Sequence, residues 1–143
     1  MAAEPITASV HIEAQPERVF AYFTDPEAIV RWMGEYALLD PTPGGEFTVD
    51  IRGVPVRGRY LELEPPRRLV ISWGYAGSDR LPPGASTVEV RLRPEDGGTH
   101  VDLEHRDLPA DEVPGHTSGW THYLARLSVA AAGGNPGADP GMR

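Results

Sequence analysis

The chain predicts an α+β fold: a curved antiparallel sheet of about seven strands, two short helices after the first strand, and a long C-terminal helix on the sheet. Two observations carry this. From Glu35 to Arg106, apolar residues recur at period two between Gly- and Pro-rich turns, the pattern of consecutive antiparallel strands. Thr99–Leu127 then reads as an alternating strand, a proline stop and an amphipathic helix. Val101, Leu103 and His105 share one strand face, while Trp120, Tyr123, Leu124 and Leu127 recur at i, i+3, i+4 and i+7. The connection is too short for another element. The helix must therefore fold back on the sheet, with its aromatic stripe toward the face that carries His105.

The elements follow in order. Ile6–Glu13 alternates Ile6, Ala8, Val10 and Ile12, a half-buried strand. Pro16 opens a helix over Glu17–Thr24 with Val19, Phe20 and Phe23 on one face. Asp25 caps a second, with Pro26 at its first position, an apolar face of Ile29, Val30, Trp32 and Met33, and Gly34 as its stop. Strands follow at Tyr36–Leu39, Glu46–Ile51, Val54–Leu63 and Arg67–Gly74. After a Gly/Pro-rich loop come Thr87–Arg93 and Thr99–Arg106. The last helix runs from near Asp111 to near Ala132, with Pro114 in its first turn, the one place a helix tolerates it. Residues 1–132 form a single domain, and 133–143 are expected to be a flexible tail.

The final hairpin has a predicted register. Gly97-Gly98 suits a two-residue loop at positive φ. That loop sets Arg93 opposite Asp102, Arg91 opposite Glu104 and Glu89 opposite Arg106, with Leu92 against Leu103 and Val90 against His105. Sliding by two residues would face Glu89 with Glu104, a like-charge pair that costs stability. A structure placing Arg91 opposite Asp102 would refute this register.

Composition narrows the chemistry. There is no cysteine, hence no disulfide, thiolate nucleophile or zinc–sulfur site. The 13 basic residues are all arginine, which removes Schiff-base chemistry and the phosphate-loop lysine. A net charge of −8 with scattered arginines argues against a nucleic-acid surface. No apolar run approaches the roughly 20 residues of a membrane span, and the start MAAEPITASV, with neither a basic start nor an apolar core, is not expected to act as a signal peptide. A cytoplasmic address is the simplest expectation.

Short motifs add a resemblance. Pro16-Glu17-Arg18-Val19-Phe20, then Asp25-Pro26-Glu27 leading to Arg31-Trp32-Met33-Gly34, resemble the opening of the domain found in activators of the heat shock protein 90 ATPase. So do Gly58-Arg59-Tyr60, the run Glu64–Trp73, the face Val101, Leu103, His105, and then Leu108-Pro109 and Gly119-Trp120. The resemblance covers Ile6 to about Ala132. It implies the helix-grip fold of the START/Bet v 1 (SRPBCC) superfamily, whose members include lipid and hormone binders, polyketide cyclases and aromatases. It also implies a chaperone as one candidate partner. On this reading the chain is expected to lack the separate N-terminal domain of the eukaryotic activators.

In such a fold the helix–sheet core is where a cavity forms. The candidate ligand-binding residues are Trp32, Phe47, Tyr60, Trp73, His105, Trp120 and Tyr123. The expected function is binding of a small hydrophobic or aromatic metabolite. The alternatives are a cyclase- or hydrolase-like enzyme using His105 as acid/base, and a module stimulating a heat-shock ATPase. His105 has two readings: a ligand or proton-transfer group, since histidine titrates near neutrality, or a structural histidine bonded to a backbone carbonyl or helix side chain. The aromatic stripe is equally readable as plain core. His116, one turn before Trp120, could line the entrance, but the favoured reading is a solvated helix-start histidine. The histidines His11, His100, His105, His116 and His122 show no paired metal-ligand spacing, and no HExxH, GxSxG or dinucleotide fingerprint occurs. No cofactor or metal is expected. A homodimer through a sheet face is compatible with the sequence, though no feature demands it.

Overall fold

The computed structural model describes residues 4–141. It has the element order β1 Ile6–Ile12, α1 Pro16–Ala21, α2 Pro26–Ile29, β2 Tyr36–Leu39, β3 Glu46–Ile51, β4 Val54–Glu64, β5 Arg68–Tyr75, β6 Ser86–Glu95, β7 Gly98–Arg106 and α3 Val113–Ala131. The strands form one seven-stranded antiparallel sheet in the order β1-β7-β6-β5-β4-β3-β2. This is the sheet with a folded-back helix that the alternation and the stripe predict, and the helix-grip fold that the resemblance implies. The sheet's inner face and α3 enclose the core; Trp120, Tyr123, Leu124 and Leu127 are all at most 4% exposed.

The local signals act as expected. Asp25 caps α2, its carboxylate accepting from the Glu27 backbone N–H at 2.9 Å. Gly34 follows with φ of +76°, where a Cβ would meet the Asp50 carbonyl oxygen at 2.7 Å, so only glycine fits. In β4 the register shifts between Tyr60 and Glu62, leaving Leu61 unpaired and 46% exposed. This bulge changes the strand's phase. Tyr60 before it and Leu63 after it both face inward, opposite Ile71 and Leu69, and Glu62 is freed to bond Arg68 on the outer face.

The predicted β6–β7 register is wrong by two residues. Arg91 lies opposite Asp102, Glu89 opposite Glu104, Val88 opposite His105 and Leu92 opposite Val101. The turn is Asp96-Gly97, not Gly97-Gly98: both residues have positive φ, 49° and 79°, as a type I′ turn requires. The like-charge pair that disfavoured this register is bridged. Arg106 donates to Glu89 at 3.0 Å and to Glu104 at 2.7 Å, while Arg68 and Arg91 also bond Glu89. Burial alone would raise the Glu89 carboxyl pKa, but these guanidinium groups outweigh it and bring it down to about 2.

Residues 133–141 return along the domain rather than hanging free. The Arg126 guanidinium, only 8% exposed, donates to the carbonyls of Pro136 and Gly137 at 3.1 and 2.8 Å, and to that of Trp32 at 3.0 Å. Asp139 is 6% exposed and accepts from Gly34 N–H at 2.6 Å and Tyr123 O–H at 2.9 Å. Buried polar groups need such partners, and they tether this segment. The last two residues of the expected tail lie outside the described residues.

Candidate functional site

A cavity of about 240 Å³ lies between the inner face of β5, the β3–β4 hairpin and the first half of α3. Its walls are largely apolar: Met33, Ile51 and Val54 from one side, Trp73 from the sheet, and Trp120 and Tyr123 from the helix. Tyr75, His116 and Glu112 add polar atoms. The helix contributes space as well as walls. Gly115 and Gly119 sit one turn apart on the lining, and a Cβ at Gly115 would meet nothing within 4 Å. Trp73 and Trp120 form the aromatic floor, their rings 5.3 Å apart and tilted by 55°.

Broader depressions on the outer sheet face, of about 480 and 450 Å³, are lined mainly by charged and polar residues such as Glu89, Arg91, Asp102, Arg57 and Arg59. They offer little apolar enclosure. Small-molecule sites are concave and mostly apolar with a few placed polar groups, which singles out the inner cavity.

His105 is fully buried behind this floor. Trp120 Nε1–H donates to its Nδ1 at 3.0 Å, and its Nε2 lies 2.8 Å from Ser86 Oγ. Ser86 in turn donates to the Trp73 carbonyl at 2.8 Å. An indole nitrogen only donates, so His105 Nδ1 must accept and Nε2 must carry the proton. Burial, with His116 beside it, lowers the His105 pKa to about 3. The ring is therefore neutral, and both of its nitrogens are engaged.

A second chain runs along the cavity mouth. Trp73 Nε1–H donates to Tyr75 Oη at 3.1 Å, and Tyr75 Oη lies 2.8 Å from His116 Nε2. His116 Nδ1 donates to the Glu112 carbonyl at 2.8 Å. Burial raises the pKa of Tyr75, and burial plus the Asp139 carboxylate raises that of Tyr123, so both phenols keep their protons. Among the described residues no group of His, Asp or Glu side chains is arranged to hold a metal ion.

Residues 13–132 match the family described as activator of Hsp90 ATPase homolog 1-like protein. The chain belongs to this family. Human activator of 90 kDa heat shock protein ATPase homolog 1 is 27% identical over 119 residues, which are 82% of this chain and 34% of that protein. The chain thus spans about a third of the length of the curated relatives it matches. An AHSA1-like protein from Rhizobium etli, known in solution, is 45% identical with a TM-score of 0.76, over 96% of this chain and 87% of that one. The crystal structure of CalU16 from Micromonospora echinospora is 32% identical with a TM-score of 0.74, over 90% and 76% of the two chains.

Within this family domain, the residues singled out from the sequence separate into two groups. Trp73, Trp120 and Tyr123 line the cavity, with His105 directly behind. Trp32, Phe47 and Tyr60 are not on its walls; they fill the interior and are at most 1% exposed. Trp32 Nε1–H donates to the Tyr22 carbonyl at 2.9 Å and Tyr60 O–H to the Phe23 carbonyl at 2.7 Å, so both pin the α1–α2 connection. The void beside Trp32 and Phe47 is only about 10 Å³, at the lower limit for one water.

His116 is not a solvated residue: its side chain is 12% exposed and it lines the cavity. Sequence reasoning missed Tyr75, Glu112, Gly115 and Asp139. One signal was present, since Gly115 and Gly119 repeat at i, i+4 beside His116 and Trp120, a helix face with room left open. Nothing local marks Asp139.

Proposed function

We propose that this protein binds a small apolar or aromatic molecule in the cavity between β5, the β3–β4 hairpin and α3. The observation that carries the reading is an apolar, aromatic-floored space kept open by a helical glycine. At about 240 Å³ it suits a ligand of one ring or a compact fused pair, below the ~300–1,000 Å³ of drug-sized sites. An acid/base role for His105 finds no support in the geometry, because its nitrogens are taken by Trp120 and Ser86 and it does not border the cavity.

Gly115→Leu tests the reading. Leucine has the higher helix propensity, by up to ~1 kcal/mol, and its side chain would occupy the open space. The expected result is an unchanged or raised Tm together with loss of ligand-induced quenching of Trp73 and Trp120 fluorescence. Quenching that survives in the folded variant would place the ligand elsewhere and overturn the reading.

A second reading is favoured by the curated relatives, named as activators of the 90 kDa heat shock protein ATPase. On it, this domain acts on such an ATPase. A steady-state ATPase assay with and without the purified chain decides it; no change at saturating chain concentration excludes it.

A further inference from the structure

The hydrogen-bond inventory around the cavity is one-sided. Every N–H and O–H of its polar side chains points away from a ligand. Trp120 N–H goes to His105 and Trp73 N–H to Tyr75. His116 Nδ1–H goes to the Glu112 carbonyl, and Tyr75 Oη and His116 Nε2 bond each other at 2.8 Å. Tyr123 O–H goes to Asp139. What remains for a guest are acceptors: lone pairs on the Tyr75 and Tyr123 oxygens.

Charge points the same way. Asp139 lies behind Tyr123 at one end and Glu112 at the other. The N–H donors of the neighbouring arginines are engaged elsewhere. Arg126 donates to the carbonyls of Trp32, Pro136 and Gly137, and Arg80 pairs with Asp111 and, at 3.9 Å, with Glu112. Among the described residues no arginine lines the cavity. Between the two acidic ends lie the rings of Trp73 and Trp120, and indole rings attract cations through their quadrupole. The net charge of −8 adds long-range attraction for a cation.

Resting on the reading of this cavity as the ligand site, we infer that it selects a compact aromatic or apolar molecule carrying a protonated amine, and rejects the matching carboxylate. An ammonium group donates to the phenol oxygens while its apolar body lies on the indoles. A carboxylate would face lone pairs with no donor, and an unpaired buried charge is strongly disfavoured.

The test uses three probes of similar shape: 2-phenylethylammonium, propylbenzene and 3-phenylpropionate, titrated calorimetrically into the full chain. The expected order is ammonium tightest, with about tenfold or greater preference over the carboxylate. In Tyr75→Phe an acceptor is lost and the Trp73 N–H is released toward the cavity, so that preference should shrink several-fold. If propylbenzene binds but the carboxylate equals or exceeds the ammonium, charge selection is overturned while the cavity remains a ligand site. If none of the three binds at millimolar concentration, both readings fall. Binding of all three that persists in Gly115→Leu overturns the assignment to this cavity.

Discussion

Mild acidification should destabilise the domain through His105. The ring is fully buried, and its pKa is lowered from 6.5 to about 3. The unfolded chain therefore binds a proton below pH 6.5 that the native state refuses. Stability falls as pH drops from about 6.5 toward 3 and is level below that, since a lowered histidine pKa favours the neutral, folded form. At 1.36 kcal/mol per unit of difference, the loss between pH 7 and pH 5 is about 2 kcal/mol. Glu89 acts in a separate window. Its pKa is lowered from 4.5 to about 2, so its stabilisation is present above 4.5 and is lost as pH falls toward 2. His11 on the sheet surface, hydrogen-bonded to Glu13 and Glu95, has a raised pKa and works in the opposite direction near neutrality.

Urea denaturation followed by circular dichroism at pH 7, 6 and 5, for the native chain and His105→Asn, isolates the effect, because His11 cancels in the difference. The native chain should lose about 2 kcal/mol more than the variant across that interval. Parallel losses would refute the assignment of His105 as a neutral, doubly engaged ring. Trp120→Phe provides a second check: without the indole donor, Nδ1 is free to take a proton, and the acid loss should become shallower.

Two further predictions concern features absent from any local pattern. Truncation after Ala132 strips Arg126 of its Pro136 and Gly137 carbonyl partners and Tyr123 of Asp139. Chemical denaturation should show a loss of about 2–4 kcal/mol, whereas an unchanged midpoint would mean that 133–143 is a dispensable tail. Glu89→Gln leaves Arg68, Arg91 and Arg106 clustered around a neutral amide. It should cost about 3 kcal/mol at pH 7 and remove the stability loss between pH 4.5 and 2; a cost below about 1 kcal/mol would show the cluster to be solvated.

Much of the architecture was legible because it rests on local periodicity. Val101, Leu103 and His105 alternate whatever surrounds them, and Trp120, Tyr123, Leu124 and Leu127 form a stripe on any helix. The order of strands and the fold-back of α3 follow, as does the family that shares those motifs. The β6–β7 register was not legible. Pairwise charge counting favoured the wrong turn, because the groups that neutralise Glu89 include Arg68 from β5, a neighbour set only when the sheet assembles. The cavity was half legible for the same reason. The stripe named Trp120 and Tyr123, but only packing decides that Trp32, Phe47 and Tyr60 fill the interior while Gly115 leaves space. Asp139 gains its role from contacts with Gly34 and Tyr123, which the chain's return past α3 brings within hydrogen-bond reach. Side-chain period is a property of a single segment. Register, free volume and the direction of each N–H depend on which segments meet.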